Sequence, residues 1–272
     1  MELYTHILIF IFGSIIGSFL NVVIYRLHTG KSLNGRSHCM SCGKTLVWFE
    51  LFPILSYLFL RGKCRSCLSY IPSRYLIVEL LTGLSFVLTY TIFQRDAFLL
   101  IVHLILVSVL MIVVVYDIRH TIIPNEMSAL VGIIALVLLG YEWIIHRDPT
   151  TLLENVGAGI AAFIFFGGLW FVSRGRWIGF GDAKIALPLG IIVGLSGAFS
   201  MVVFSFWIGA IISLSLLGIE KMLRKGKTYL HFLSIPLTMK SEVPFAPFLI
   251  LGFLAVHFFH ADILQLTRIF FE

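Results

Sequence analysis

The chain has 272 residues, 59% of them hydrophobic and only 12% charged. A soluble domain is usually about a quarter charged, so this composition excludes an ordinary water-soluble fold and leaves a multi-span membrane protein. The net charge of +6 gives no reason to invoke nucleic acid as a partner. The basic residues fall in loops between apolar runs, where orientation and contact with anionic lipid account for them.

The chain opens on an apolar run whose first charge is Glu2 and whose first basic residue, Arg26, comes after it. No small-residue cleavage site follows, so the run reads as a first span and not as a removable signal. Apolar runs of about bilayer-spanning length predict an all-α integral membrane protein with about eight transmembrane helices. They lie near 5–25, 75–93, 98–117, 127–145, 155–172, 183–198, 200–219 and 244–262, and Pro188 makes the sixth the least regular. With the N-terminus outside, 17 of the 20 Lys and Arg residues fall on the inner side. The positive-inside rule therefore puts the odd-numbered loops in the cytoplasm.

In the first span, Gly13, Ser14, Gly17 and Ser18 recur at four-residue spacing, a pattern that lets transmembrane helices pack closely. Asn21 is expected to make a helix–helix hydrogen bond. His6, His103, His257 and His260 lie in or near spans, and they read as packed or interfacial.

The loop from 28 to 74 holds all four cysteines, as Cys39-x2-Cys42 and Cys64-x2-Cys67 with 21 residues between the pairs. In a reducing cytoplasm this pattern suits a closed tetrahedral site of four thiolates on a structural zinc ion. Between the knuckles, Leu46–Leu60 is apolar but interrupted by Glu50 and Pro53. It is too short to span and fits an interfacial or re-entrant element.

Two acids stand at the ends of apolar runs. Asp117 closes Leu99–Tyr116, and Asp182 follows Gly179-Phe180-Gly181 at the mouth of another run. The topology puts both at the cytoplasmic face. An ionisable group at a membrane span is a functional candidate by default, and the glycines let another backbone approach. Two carboxylates in one site share a proton: one draws a proton from water and the other hydrogen-bonds the carbonyl under attack. That is hydrolysis of a peptide bond with no covalent intermediate. No G-x-S-x-G or His-Glu-x-x-His supports another protease route. Asp182 sits at the positive N-terminal end of the sixth span and Asp117 at the negative C-terminal end of the third, which favours Asp182 as the base and Asp117 as the protonated partner. The plainer alternatives are an Asp182 that only satisfies amides at a helix start and an Asp117 paired with Arg119. A transporter using the acids as a proton relay is the rival function.

These residues together resemble the bacterial prepilin peptidases, the type IV leader peptidase and N-methyltransferase family. Gly17-Ser18-Phe19-Leu20-Asn21-Val22 is similar to the family's first span, and the two Cys-x2-Cys pairs resemble its zinc-binding loop. Glu50–Tyr57, Leu60-Arg61-Gly62-Lys63-Cys64, and Arg74-Tyr75 with Glu79 match in order. Asp117 with Pro124 resembles the family's first catalytic aspartate, and Gly179-Phe180-Gly181-Asp182-Ala183-Lys184 resembles the G-x-G-D motif of the second. Pro244-Phe245-Ala246-Pro247-Phe248 is similar to the start of the final span. The chain departs from the pattern at Asn125, at Leu51-Phe52 and at Ala246, where the family usually carries Asp, Asn-Ile and Gly.

The resemblance implies an aspartic endopeptidase of the bacterial cell membrane, with Asp117 and Asp182 catalytic and Gly179 and Gly181 supporting them. The substrates would be prepilins or pilin-like proteins of pilus, secretion or competence machinery, cut after a glycine at the cytoplasmic side. It implies methylation of the new N-terminus from S-adenosylmethionine, with Gly62 and Lys63 the positions tied to that step. Their plainer reading is a turn leading into the second knuckle. A peptidase without methyl transfer is the near alternative. The expected division is residues 1–27 as the first span, 28–74 as the four-cysteine loop and 75–272 as the peptidase core. Oligomeric state is not legible in the sequence.

Overall fold

A computed structural model describes residues 2–29, 32, 34–225 and 243–263. Among these residues the regular structure is helical, apart from two isolated antiparallel bridges, His38 with Thr45 and Lys63 with Tyr70. The helices are α1 (Glu2–Arg26), a short 3-10 turn (Trp48–Leu51), α2 (Leu55–Phe59), α3 (Arg74–Phe93), α4 (Ala97–His120), α5 (Asn125–His146), α6 (Pro149–Ser173), α7 (Phe180–Lys225) and α8 (Ala246–Phe259). The chain divides into two compact units, Met1–Val115 and Tyr116–Glu272.

Among the described residues, six helices are long and apolar enough to cross a membrane, beginning at Leu3, Arg74, Ala97, Asn125, Pro149 and Phe180. The first five expected spans are α1, α3, α4, α5 and α6. The sixth and seventh are the two arms of α7, so the expected count of about eight comes down to six long helices and the shorter α8. The arms join at Gly194, whose φ of 72° and ψ of −176° are non-helical. The break therefore falls six residues after Pro188, which sits inside continuous helix. The eighth expected span is α8, whose 14 residues rise about 21 Å, short of a hydrocarbon core of about 30 Å. Most of the basic loop expected at 220–243, and Arg268, lie outside the described residues.

In the first unit α1 packs on α3 through the small residues seen in the sequence. A Cβ on Gly17 would stand 2.9 Å from the Glu79 Cα, and one on Gly13 would stand 2.9 Å from the Gly83 Cα. Such close approach lets backbone meet backbone, the source of helix association where lipid removes any hydrophobic driving force. Asn21 Nδ2 donates to the Tyr75 carbonyl at 3.2 Å, the interhelical bond expected of it. His6 packs edge-on against Tyr90 and His103 stacks on Phe93, both packed as expected.

The segment between the knuckles neither spans nor extends; it forms the 3-10 turn and α2. Ile54 enters α2 at φ 63°, an unusual conformation for a β-branched residue. It is held there because its N–H donates to the buried Glu79 carboxylate at 2.8 Å. Glu79 lies more than one turn inside α3, so the segment dips back to that depth. Trp48, Leu55, Leu58 and Phe59 are exposed along it, as an interfacial element requires.

In the second unit α7 runs between α5, α6 and α8. It meets α6 at a glycine crossing, where a Cβ on Gly190 would stand 2.9 Å from the Gly159 Cα. It meets α8 at Gly252, where a Cβ would stand 2.6 Å from the Met201 carbonyl oxygen. Any side chain at Gly252 would push α8 away. α6 starts at Pro149 behind an Asp148 cap whose carboxylate accepts the Thr150 N–H at 3.0 Å and the Thr151 hydroxyl at 2.6 Å. These bonds hold the Asp148 carboxyl down at about 2.

Candidate active site and metal centre

Both acids belong to the second unit. Asp182 is the third residue of α7, and its Oδ2 reaches back to accept the Gly179 N–H at 3.2 Å. This is half of a capping box, in which an acid in the first helical turn satisfies the amide just before it. Asp117 lies in the last turn of α4. Its carboxylate lies near the backbone amide of Ala246, the first residue of α8. Asp117 is 5% exposed and Asp182 6%, and they are close enough for their charges to repel. Asp117 Oδ2 is buried with no hydrogen-bond partner among the described residues. Leaving a buried acceptor unmade costs about 1–3 kcal/mol, so such an atom calls for a functional explanation.

The turn after α4 brings the acids together. A Cβ on Gly181 would stand 3.1 Å from the Ile123 Cβ, so the chain just past Asp117 rests on the backbone just before Asp182. A second tie runs from Lys184 Nζ to Asn125 Oδ1 at 2.8 Å, linking the first turn of α7 to the first residue of α5. The lysine also lies 5.1 Å above the Phe180 ring. At Gly179 a Cβ would sit 3.4 Å from Asp182 Oδ2, an ordinary contact, so this glycine serves mainly through its amide.

The sequence singled out both acids and both glycines but gave no role to Ile123 or Asn125. Asn125 and Lys184 carried a signal, a neutral amide and a cation beside the two motifs.

The candidate metal centre is in the first unit. The sulfurs of Cys39, Cys42, Cys64 and Cys67 lie within 4.8 Å of one another, and those of Cys39 and Cys67 are 3.8 Å apart. A tetrahedron with Zn–S bonds of about 2.3 Å has sulfurs about 3.8 Å apart, so the four thiols fit a zinc ion with no open position. The knuckles share one fold: the Cys39 N–H donates to the Lys44 carbonyl and the Cys64 N–H to the Ser69 carbonyl, each at 2.9 Å. The residue after each second cysteine is left-handed, Gly43 at φ 71° and Leu68 at φ 56°. The Cys42 and Ser41 amides bring the Cys39 thiol down to about 6. Ser69 lowers Cys67 through its hydroxyl and its amide. The Lys44 amide pulls the Cys42 thiol down, but the Cys39 sulfur, burial and the Cys67 sulfur outweigh it and raise it to about 11. Thiolates this crowded oppose one another until a cation joins them.

Gly62 and Lys63 form the turn between α2 and the second knuckle. The Gly62 N–H donates to the Tyr57 carbonyl and the Arg61 N–H to the Leu58 carbonyl, the paired bonds of a Schellman cap. Gly62 has φ 64°, and a Cβ there would meet the Tyr57 hydroxyl at 2.8 Å. Its carbonyl accepts the Ile71 N–H at 2.7 Å. The Lys63 ammonium lies over the Tyr70 ring, 5.1 Å from its centroid.

The chain matches two family models in order: the bacterial peptidase A24 N-terminal domain over residues 11–93 and the type IV leader peptidase family over residues 104–214. It is similar to a prepilin leader peptidase/N-methyltransferase of Myxococcus xanthus, 34% identical over 78% of this chain and 63% of that protein. An Escherichia coli type 4 prepilin-like proteins leader peptide-processing enzyme is 33% identical over 67% of this chain and 74% of its own length. A Bacillus subtilis prepilin leader peptidase/N-methyltransferase is 32% identical over 75% and 80%. No solved structure matches the chain.

Proposed function

The chain belongs to the type IV leader peptidase family, and on that premise we propose that it is a membrane-embedded aspartic endopeptidase that also N-methylates its product. It removes the short basic leader of prepilins or pilin-like proteins after a glycine, and the new N-terminal residue then receives the methyl group. The observation that carries this reading is the buried pair of Asp117 and Asp182, the second tied to the Gly179 amide and the two drawn together by the turn after α4.

In the proposed reaction one acid is ionised and the other holds a proton. The ionised acid takes a proton from a water molecule as its oxygen adds to the scissile carbonyl. The protonated acid donates to that carbonyl oxygen. The tetrahedral intermediate then collapses: the C–N bond breaks, and the proton taken from water passes to the leaving amine. Gly179 orients Asp182, while Gly181 keeps the approach of Ile123 open. S-adenosylmethionine, when bound, supplies an activated methyl group to the new α-amine. The four cysteines hold zinc as a structural crosslink. The enzyme sits in the bacterial cell membrane with its N-terminus outside and its acids at the cytoplasmic face, which the bias of basic residues supports.

The test is incubation of the detergent-solubilised protein with a prepilin-like peptide, with and without S-adenosylmethionine, read by mass spectrometry. The expected products are a free leader and a mature fragment that gains one methyl mass only when the donor is present. Cleavage without added mass reduces the reading to a peptidase. Intact substrate in both arms overturns it, and proton flux from reconstituted vesicles then favours the transporter.

A further inference from the structure

We infer that Lys184 and Asn125 are positioning residues of the catalytic centre: their hydrogen bond is a clasp that sets the angle at which α7 presents Asp182 to Asp117. This rests on the reading of Asp117 and Asp182 as the catalytic acids.

Both residues are turned away from their ordinary uses. Asparagine at a helix start usually caps its own helix. Asn125 opens α5, but Pro124 holds the cap position and no side-chain capping bond is made there. The Asn125 Oδ1 instead accepts from Lys184 Nζ at 2.8 Å, from a residue 59 positions along the chain. Lys184 stands two residues past Asp182, near the start of α7. A cation there meets the positive end of the helix dipole, so the stability of α7 gives no reason for it.

The ammonium has a second support. It lies 5.1 Å above the Phe180 ring, and that ring packs on Trp170 at 4.9 Å and on Phe163 at 6.2 Å between centroids. Trp170 and Phe163 belong to α6. A chain of contacts therefore runs from α5 through Lys184 and Phe180 to α6. It joins a charge-assisted hydrogen bond to a cation–π contact. Because the acceptor is an amide, the clasp adds no further carboxylate at a helix start that already carries Asp182.

The contact of Gly181 with Ile123 already brings the start of α7 to the turn after α4. One contact is a pivot. Lys184 is three residues beyond Gly181, on the same helix face and about 4.5 Å further along the axis. Two points fix a direction where one does not. Asp182 lies between them in the chain, so turning about the pivot moves its carboxylate.

The test is steady-state cleavage of a prepilin-like peptide by the full chain in detergent, with melting temperature measured on each variant. Lys184→Met keeps the stem without the donor, and Asn125→Leu keeps the shape without the acceptor. Each is expected to lower kcat about tenfold with KM changed less than about twofold, because a misplaced acid weakens the transition state and not binding. The double variant should lose no more than either single one, as when one bond is broken twice. Asn125→Asp keeps an acceptor and should recover the cleavage lost in Asn125→Leu. Parental kcat in folded Lys184→Met overturns the inference, as do losses that multiply in the double variant. A lower melting temperature with parental kcat also overturns it, because the bond is then only structural. Should Lys184→Met not fold, the comparison of Asn125→Leu with Asn125→Asp decides: equal losses in the two overturn the clasp. Asp182→Asn measured alongside separates the two claims. If it cleaves normally the catalytic pair itself fails, and if it is inactive while Lys184→Met is unchanged only the clasp fails.

Discussion

The four-cysteine loop and the two-acid centre solve the same problem, holding repelling groups together, by opposite means. The loop uses residues close in the chain. Each knuckle closes within six residues on backbone bonds of its own, and the four sulfurs meet within 4.8 Å, where a metal ion would complete the neutralisation. The acids lie 65 positions apart, and Asp182 is steadied by the amide at the start of its own helix. A metal tolerates sloppy neighbours because its bonds are strong. An acid pair depends on backbone amides placed to a few tenths of an ångström, so its sensitivity extends to residues such as Gly181 and Gly252 that carry no chemistry.

That contrast can be broken most severely in the loop. Cys64→Ser removes the buried thiol of the four; bound zinc, read by elemental analysis, is expected to fall from one per chain to none, with a large drop in melting temperature. Metal retained at full stoichiometry would refute the thiolate site. The next effect belongs to the acids. Gly181→Val drives a branched side chain into Ile123, and kcat should fall about 100-fold through misplacement of Asp182, while bound zinc stays at one. A smaller effect sharpens the likeness of the two knuckles. Leu68 occupies the left-handed position that Gly43 fills in the first, and Leu68→Gly should stabilise the protein by about 1 kcal/mol, read as a higher melting temperature. The smallest is at Asp148, which belongs to neither site. Its carboxyl is lower folded than unfolded, so its stabilisation is complete above about pH 4 and is lost as pH falls toward 2. Asp148→Asn should therefore flatten the change in melting temperature across that window and leave cleavage unaltered.

Legibility in the sequence followed the same division. The cysteine spacing exposed the metal loop because its geometry is local. The long helices were legible as apolar runs, and the small residues of α1 marked its contact with α3. Gly194 was not, because glycine is common in transmembrane helices and only the structure shows which one is non-helical. Ile54 was not, because its positive φ is imposed by Glu79 from another helix. Asp117 and Asp182 stood out as acids at the ends of apolar runs, yet what holds them did not. Ile123 is one isoleucine among many.

The central claim, that these two acids act as one hydrolytic pair, is tested most directly by turnover of a prepilin-like substrate by Asp117→Asn and Asp182→Asn proteins whose zinc content and melting temperature match the parent. Each amide keeps the shape of the acid but cannot act as its base, so each single variant should lose cleavage by a factor of about 100 to 10,000. Near-parental turnover in either folded variant would contradict the account.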